Sequence, residues 1–149
     1  MSEGPGARAI RTAVVADAAE VARLADQLGY PATDEAMAER LAGLLERPDH
    51  RVWVAQDAAG RAIGWLHASV RRVLESAQYV EVEGLVVDET QRGARIGERL
   101  MEQAIGWARS LGMPRVRVRS NVLRADAHRF YLRLGFRRVK DQAVLERGL

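Results

Sequence analysis

The run Gly84-Leu85-Val86-Val87-Asp88-Glu89-Thr90-Gln91-Arg92-Gly93-Ala94-Arg95-Ile96-Gly97-Glu98-Arg99-Leu100 constrains this chain more than any other. An apolar strand end, Leu85 to Val87, passes through a short basic loop into a long helix. The strand's apolar end predicts a central place in a sheet. Beyond the loop, Ile96, Leu100, Met101, Ala104, Ile105 and Ala108 recur on one helical face, and Gly112 stops the helix. The first turn of a helix presents unpaired N–H groups and a positive dipole end, so it binds phosphate readily. Gly93 and Gly97 let backbone approach an anion without a Cβ, and Arg92 and Arg95 add positive charge. There is no Gly-Lys-Ser/Thr, which argues against a nucleotide-hydrolysing P-loop. There is no Gly-x-Gly-x-x-Gly, so a dinucleotide fold is unsupported. Taken alone, the run also reads as a plain strand–helix connection.

The rest of the chain surrounds this run with alternating elements. Met1–Gly6 is expected to be a flexible N-terminus, and residues 7–149 a single domain. Arg8–Val15 reads as a first strand. Asp17 is placed to cap a helix to Leu28, with Val21, Leu24, Ala25 and Leu28 as its stripe and Gly29 as its stop. Thr33 is placed to cap a second helix, striped by Met37, Leu41, Leu44 and Leu45 and ended by Pro48. Strands are expected over Arg51–Gln56, Arg61–Val73 and Gln78–Val87, the first two joined by the Asp57–Gly60 hairpin loop. After the long helix come a strand over Arg115–Ser120, a helix over Asp126–Leu134 ended by Gly135, and a last strand over Phe136–Leu145. The order β-α-α-β-β-β-α-β-α-β predicts an α/β (α+β) fold, one mixed central sheet with helices on its faces.

Composition narrows the chemistry. The chain has no cysteine, which removes disulfides, thiolate metal sites and a cysteine nucleophile. His50, His67 and His128 are too widely spaced to suggest a zinc cluster, so no metal is expected. No apolar run is long enough to span a membrane. Asp17, Glu20 and Arg23 interrupt the N-terminal apolar stretch, so no secretory leader is read and a cytoplasmic location is expected. Charge is uneven: residues 1–90 carry a net −6 and residues 91–149 a net +9. The basic half suggests an anionic partner, although a general preference for arginine explains it equally well.

A second signature lies downstream of the loop: Ser120-Asn121, Arg124, Ala127-His128-Arg129-Phe130-Tyr131, then Leu134-Gly135-Phe136. Together with Arg92-Gly93-Ala94-Arg95-Ile96-Gly97, it resembles the GNAT superfamily of acetyl-CoA-dependent N-acetyltransferases. That family shows a strand, a Gln/Arg-x-x-Gly-x-Gly/Ala loop and a helix, followed by an Asn…Ala-x-x-Phe-Tyr…Gly-Phe region. The resemblance covers nearly the whole element order. One position departs from it: Arg95 stands where the family usually has glycine. An arginine there is expected to take an ordinary negative φ, which a helix start allows, and its guanidinium could then reach a phosphate.

The resemblance implies a set of roles. Acetyl-CoA would be the co-substrate, lying between the central strand and its parallel neighbour. The backbone of Leu85, Val86 and Val87 would pair with the pantetheine arm. N–H groups of Arg92, Gly93, Ala94, Arg95, Ile96 and Gly97 would hold the pyrophosphate, and Asn121 would bond the cofactor arm. Tyr131 would sit beside the thioester sulfur as general acid. Glu81 or Glu83 would remove the amine proton, often through water. With no cysteine to carry an acetyl group, transfer would be direct, in a ternary complex. Tyr30, between the first two helices, and Trp65, His67 and Glu83 are candidate acceptor contacts.

Each role has a structural competitor. Asn121 would also serve as a cap, Tyr131 as a core residue, and the two glutamates as a solvated strand face or ion pair. His128 is read as structural. The acceptor is expected to be a small amine or a peptide amine, with a homodimer left open. The rival reading is a CoA-binding regulatory or interaction domain without turnover. Arg115, Arg117 and Arg119 alternate on one strand face and could follow a phosphate backbone. No stacking aromatics are interleaved with them, so nucleic acid is not expected as a partner.

Overall fold

The structure is a computed structural model that describes residues 9–91, 95–120 and 125–149. In chain order it contains β1 (Ala9–Thr12), a 3-10 turn (Val15–Asp17), α1 (Ala18–Gln27), α2 (Asp34–Leu45), β2 (His50–Gln56), β3 (Ala62–Arg71) and β4 (Tyr79–Val87). A second 3-10 turn (Glu89–Gln91), α3 (Ile96–Ser110), β5 (Val116–Val118) and α4 (Ala125–Arg133) follow. The chain divides into two compact units, Met1–Val118 and Arg119–Leu149.

In the first unit the five strands form one sheet in sequential order, β1 to β5. The first four run antiparallel. β5 runs parallel to β4, because α3 carries the chain back across the sheet before β5 begins. One face packs on α3: a Cβ added to Gly64 would meet Leu100 at 3.2 Å and Ile96 at 3.3 Å, and Trp53 meets Trp107 edge-on. On the other face Val52 and Val54 join Ala13, Ala18, Val21 and Leu41, with Trp65 packed against them. The stripes that periodicity marks on α1 and α3 are the buried ones, with Leu28 and Ile105 only half-buried.

Thr33 caps α2 as expected, its Oγ1 accepting the Ala36 N–H at 3.0 Å. Asp17 occupies the cap position of α1 but does a different job. Its carboxylate accepts two bonds from Arg11, at 2.7 and 2.8 Å, and one from the Val14 N–H. The hydrogen bond from Arg11 holds the Asp17 pKa below the usual carboxylate range. This clasp closes the first 3-10 turn and shortens β1 relative to the expected Arg8–Val15. Gly29 stops α1 at φ +95°, where a side chain would be strained, and the Tyr30 N–H donates back to Ala25 O.

In the second unit, the strand expected over Phe136–Leu145 does not form. Residues 134–149 have no regular strand or helix, and Val139, Val144 and Leu145 are exposed. Arg138 and Asp141 pair locally across three residues, and the sheet of the described residues contains β1 to β5 alone, so partial alternation in sequence is not by itself enough to make a strand.

Candidate functional site

The site is built around a β-bulge in β4. β3 and β4 pair in register from Arg71↔Tyr79 to Ala68↔Val82, then resume at His67↔Gly84, leaving Glu83 as the extra residue. The bulge changes which way the strand's N–H groups point. Before it, the Val80 N–H donates to Arg115 O, towards β5. After it, the Asp88 N–H donates to Ile63 O, on β3. Counting back by alternation from Asp88, the N–H groups of Leu85 and Val87 point towards the β5 side. β5 is no longer there: it pairs only with Val80, Glu81 and Val82. Leu85, Val86 and Val87 therefore have a ladder on one side and, among the described residues, an open edge on the other.

One face of the sheet beside the bulge carries a polar cluster. Cross-strand pairing aligns His50 with Ser69, Val52 with His67, and Ser69 with Glu81. Arg71 ties the two glutamates together. Its Nη2 donates to Glu81 Oε2 at 2.8 Å and to Glu83 Oε2 at 3.0 Å, and its Nε donates to Glu83 Oε1 at 2.9 Å. The Ser69 hydroxyl donates to Glu83 Oε1 at 2.6 Å. Both glutamates thus meet on Arg71, as equal parity suggests, although the bulge intervenes. Their exposure differs. The Glu81 side chain is 2% exposed and that of Glu83 24%.

His67 Nε2 lies 2.9 Å from His50 Nδ1, so one ring donates and the other accepts. Burial lowers the His67 pKa to about 4; His50 and Arg71 push the same way, while Glu83 opposes them. His67 is therefore a neutral imidazole near neutral pH. Trp65 lies two residues before it, on the same face. Its ring fills the space a Cβ on Gly84 would need, at 2.9 Å, and its buried Nε1 has no acceptor among the described residues. Glycine at 84 is thus required by Trp65. Tyr30 lies between α1 and α2 and is 70% exposed.

Arg95 departs from expectation. It stands before α3 with φ +63° and ψ +20°, the left-handed region, and it is the one non-glycine residue with positive φ among the described residues. The ordinary negative φ expected for it is not adopted: Arg95 holds the left-handed conformation at the position that precedes α3. A glycine would meet this conformation without Cβ strain, which gives a physical reason for the usual residue there. The Arg95 guanidinium is 77% exposed and donates through Nε to Glu98 Oε2 at 2.8 Å. That hydrogen bond raises its pKa. Ile96 and Gly97 form the first turn of α3, with Ile96 buried. Arg92, Gly93, Ala94 and Asn121 lie outside the described residues.

Tyr131 belongs to α4, in the second unit. Its half-buried ring meets Phe130 and Phe136 edge-on, at centroid distances of 5.2 and 5.8 Å. The structure brings together Glu81, Glu83, His67 and Trp65, and it sets Leu85, Val86 and Val87 on the open edge. Three contributors were not singled out from sequence as site residues: Arg71, Ser69 and His50. Their signal was present, since His67, Ser69 and Arg71 alternate as polar residues on one face of an otherwise apolar strand. Among the described residues no group of three or more acidic or histidine side chains is placed to hold a metal. No helix of the described residues is long and apolar enough to cross a membrane.

Comparison with known proteins places this architecture. An aminoalkylphosphonate N-acetyltransferase of Salmonella typhimurium is 35% identical over 79 residues, 52% of this chain and 51% of the relative. The match thus spans about half the relative's length. Among solved structures, a transcriptional regulator from Bacillus halodurans C-125 superposes with a TM-score of 0.83 at 22% identity, covering 93% of this chain and 98% of the other. An aminoglycoside 6'-N-acetyltransferase from Acinetobacter haemolyticus superposes with a TM-score of 0.81 at 20% identity, covering 95% and 99%. At these identities the two structures show a shared fold. The profile of the Acetyltransferase (GNAT) family matches residues 15–136, most of the chain and parts of both compact units. With the mixed sheet, the bulged β4 and the open edge beside it, this match shows that the chain belongs to the GNAT acetyltransferase family.

Proposed function

We propose that this chain is an acetyl-CoA-dependent N-acetyltransferase that moves acetyl directly to a primary amine, with residues 7–149 acting as one domain. The observation that carries the reading is the open edge of β4, where the Leu85 and Val87 N–H groups face away from β3 next to Glu83. This edge fits an extended amide-bearing arm, which can add to it as a strand does. The first turn of α3, with Gly97, fits the phosphates, and Arg92, Gly93, Ala94 and Asn121 would complete the cofactor contacts.

When bound, acetyl-CoA supplies an activated acetyl thioester. The residues of the chain meet the other demands. An amine is cationic near neutral pH and must lose a proton before it attacks. Glu83 takes that proton through a water, since its carboxylate reaches solvent and that of Glu81 does not. Glu81 then has a supporting role, anchoring Arg71. The Leu85 N–H donates to the carbonyl oxygen as charge develops on it. Tyr131 gives a proton to the departing sulfur. Trp65, His67 and Tyr30 contact the acceptor. The Salmonella relative and the Acinetobacter structure are named for small amine substrates, which supports a small amine as acceptor before a peptide.

The test is release of CoA thiol across aminoalkylphosphonates, aminoglycosides, polyamines, amino acids and basic peptides. At least one amine should turn over, and Glu83→Gln should lower kcat/KM on it by about 10²-fold. Acetyl-CoA binding without turnover on any amine would replace this reading with a CoA-binding regulatory domain.

A further inference from the structure

The arginines that alternate along β5 have no part in the reaction as described. Arg115 directly precedes β5 and Arg117 lies within it. The register Glu81↔Arg117 puts both on the face that carries Glu81, Ser69 and Arg71. Their guanidinium carbons lie over one ring, that of Tyr79, at 4.9 and 4.8 Å from its centroid. Tyr79 itself is 3% exposed. Stacking on an aromatic face orients a guanidinium but leaves its charge and its in-plane donors unmet.

Nothing else in the described structure meets them. Arg71, the neighbouring cation, already donates to Glu81 and Glu83. No carboxylate of the described residues forms an ion pair with Arg115 or Arg117. The Arg115 Nε is buried without an acceptor, an arrangement that native proteins rarely leave without a purpose. Among the described residues the face thus holds three guanidinium cations against two carboxylates, with two of the cations held together on one ring. Both are half-buried, which suits a small ion better than a nucleic-acid track.

We propose that Arg115 and Arg117 bind an oxyanion group of the acceptor, so that the substrate class is an amine carrying a phosphonate, phosphate or carboxylate on a short spacer. This inference rests on the acetyl-transfer reading and extends it. The ammonium end sits at Glu83, on the bulge. Arg117 aligns with Glu81, two positions back along β4, which sets the anion roughly 7 Å away along the strand. A spacer of two or three carbons spans that interval. A zwitterionic acceptor also matches the face in charge, its ammonium at the carboxylates and its anion at the unpaired arginines. The planar guanidinium fork engages such oxyanions with two parallel hydrogen bonds.

The experiment compares three acceptors of similar length, 2-aminoethylphosphonate, β-alanine and propylamine, in wild type, Arg115→Gln, Arg117→Gln and Arg117→Lys. Wild type should favour the two anionic acceptors over propylamine by about tenfold or more in kcat/KM. Either glutamine variant should erase that preference while leaving propylamine turnover nearly unchanged, and Arg117→Lys should restore part of it. Arg119→Gln, at an exposed position, serves as the control and should behave as wild type. A preference that survives both glutamine variants would overturn the proposal. A second readout does not need catalysis: methylphosphonate, titrated into the full chain and followed by NMR, should shift the arginine Nε–H signals of wild type but not of Arg117→Gln. If no amine is acetylated yet this titration behaves as stated, the anion site stands and the acetyl-transfer reading falls. If methylphosphonate binds wild type and Arg117→Gln alike, or neither, the anion site is wrong.

Discussion

Up to Val82, β4 is held on both sides, by β3 and by β5. From Glu83 onward it is held, among the described residues, on one side only. The contrast appears in two glutamates two residues apart that share one arginine. Glu81 lies in the doubly paired half, opposite Ser69 and Arg117, and is 1% exposed. Glu83 is the bulged residue, and its carboxylate reaches solvent. The same residue type is shielded from solvent in one half and reaches it in the other, and the bulge marks the boundary. The bound half also supports the open half, because Arg71 is fixed by Glu81 and in turn fixes Glu83.

Three variants test this division. The largest effect is expected from Arg71→Met. It removes the ion pair of a carboxylate that is 2% exposed and should lower unfolding free energy by about 3 kcal/mol, read by denaturant titration. A loss well under 1 kcal/mol would show that Glu81 does not rely on this arginine.

A smaller effect concerns pH. His67 has a pKa lowered to about 4, first by burial and then by the neighbouring His50. Unfolded, the imidazole titrates near its ordinary value of about 6.5. Between those values the unfolded chain binds a proton that the folded chain refuses. Stability attributable to His67 is thus fully present above about pH 6.5 and is lost as pH falls towards 4, by roughly 2–3 kcal/mol. His67→Gln should flatten that part of the stability profile. An unchanged slope would mean that the histidine pair shares a proton in the folded state.

Arg95→Gly should have the smallest effect. It relieves a side chain at φ +63° and should raise the melting temperature by up to a few degrees, with acetyl-CoA affinity retained. A marked fall in affinity, measured by calorimetry, would show that the guanidinium takes part in binding despite its link to Glu98.

Much of this was legible in the sequence, for identifiable reasons. α3 is visible because Ile96, Leu100, Met101, Ala104 and Ala108 repeat with helical period, and all five are buried. The apolar end of β4 marks it as an inner strand. The bulge was not legible, because one unmatched residue leaves no composition signal and depends on how β3 aligns. Arg71 is not legible either: an arginine at a strand end looks solvated until its two carboxylate partners are seen. Nor is the conformation of Arg95 legible, because a side chain rarely takes φ +63° and the residue type itself points to a negative φ. The strand expected over 136–145 shows the opposite failure, since partial alternation in sequence does not by itself make a strand.

The central claim is that the open edge of β4 receives acetyl-CoA as an added strand would be received. Amide hydrogen exchange, read residue by residue with and without acetyl-CoA, tests it directly. In the free protein the Val80 amide, bonded to Arg115 O, should already exchange slowly, while Leu85 and Val87 exchange quickly. With acetyl-CoA bound, Leu85 and Val87 should slow by about tenfold or more while Val80 changes little. Saturating acetyl-CoA that leaves the exchange of Leu85 and Val87 unchanged would contradict the account.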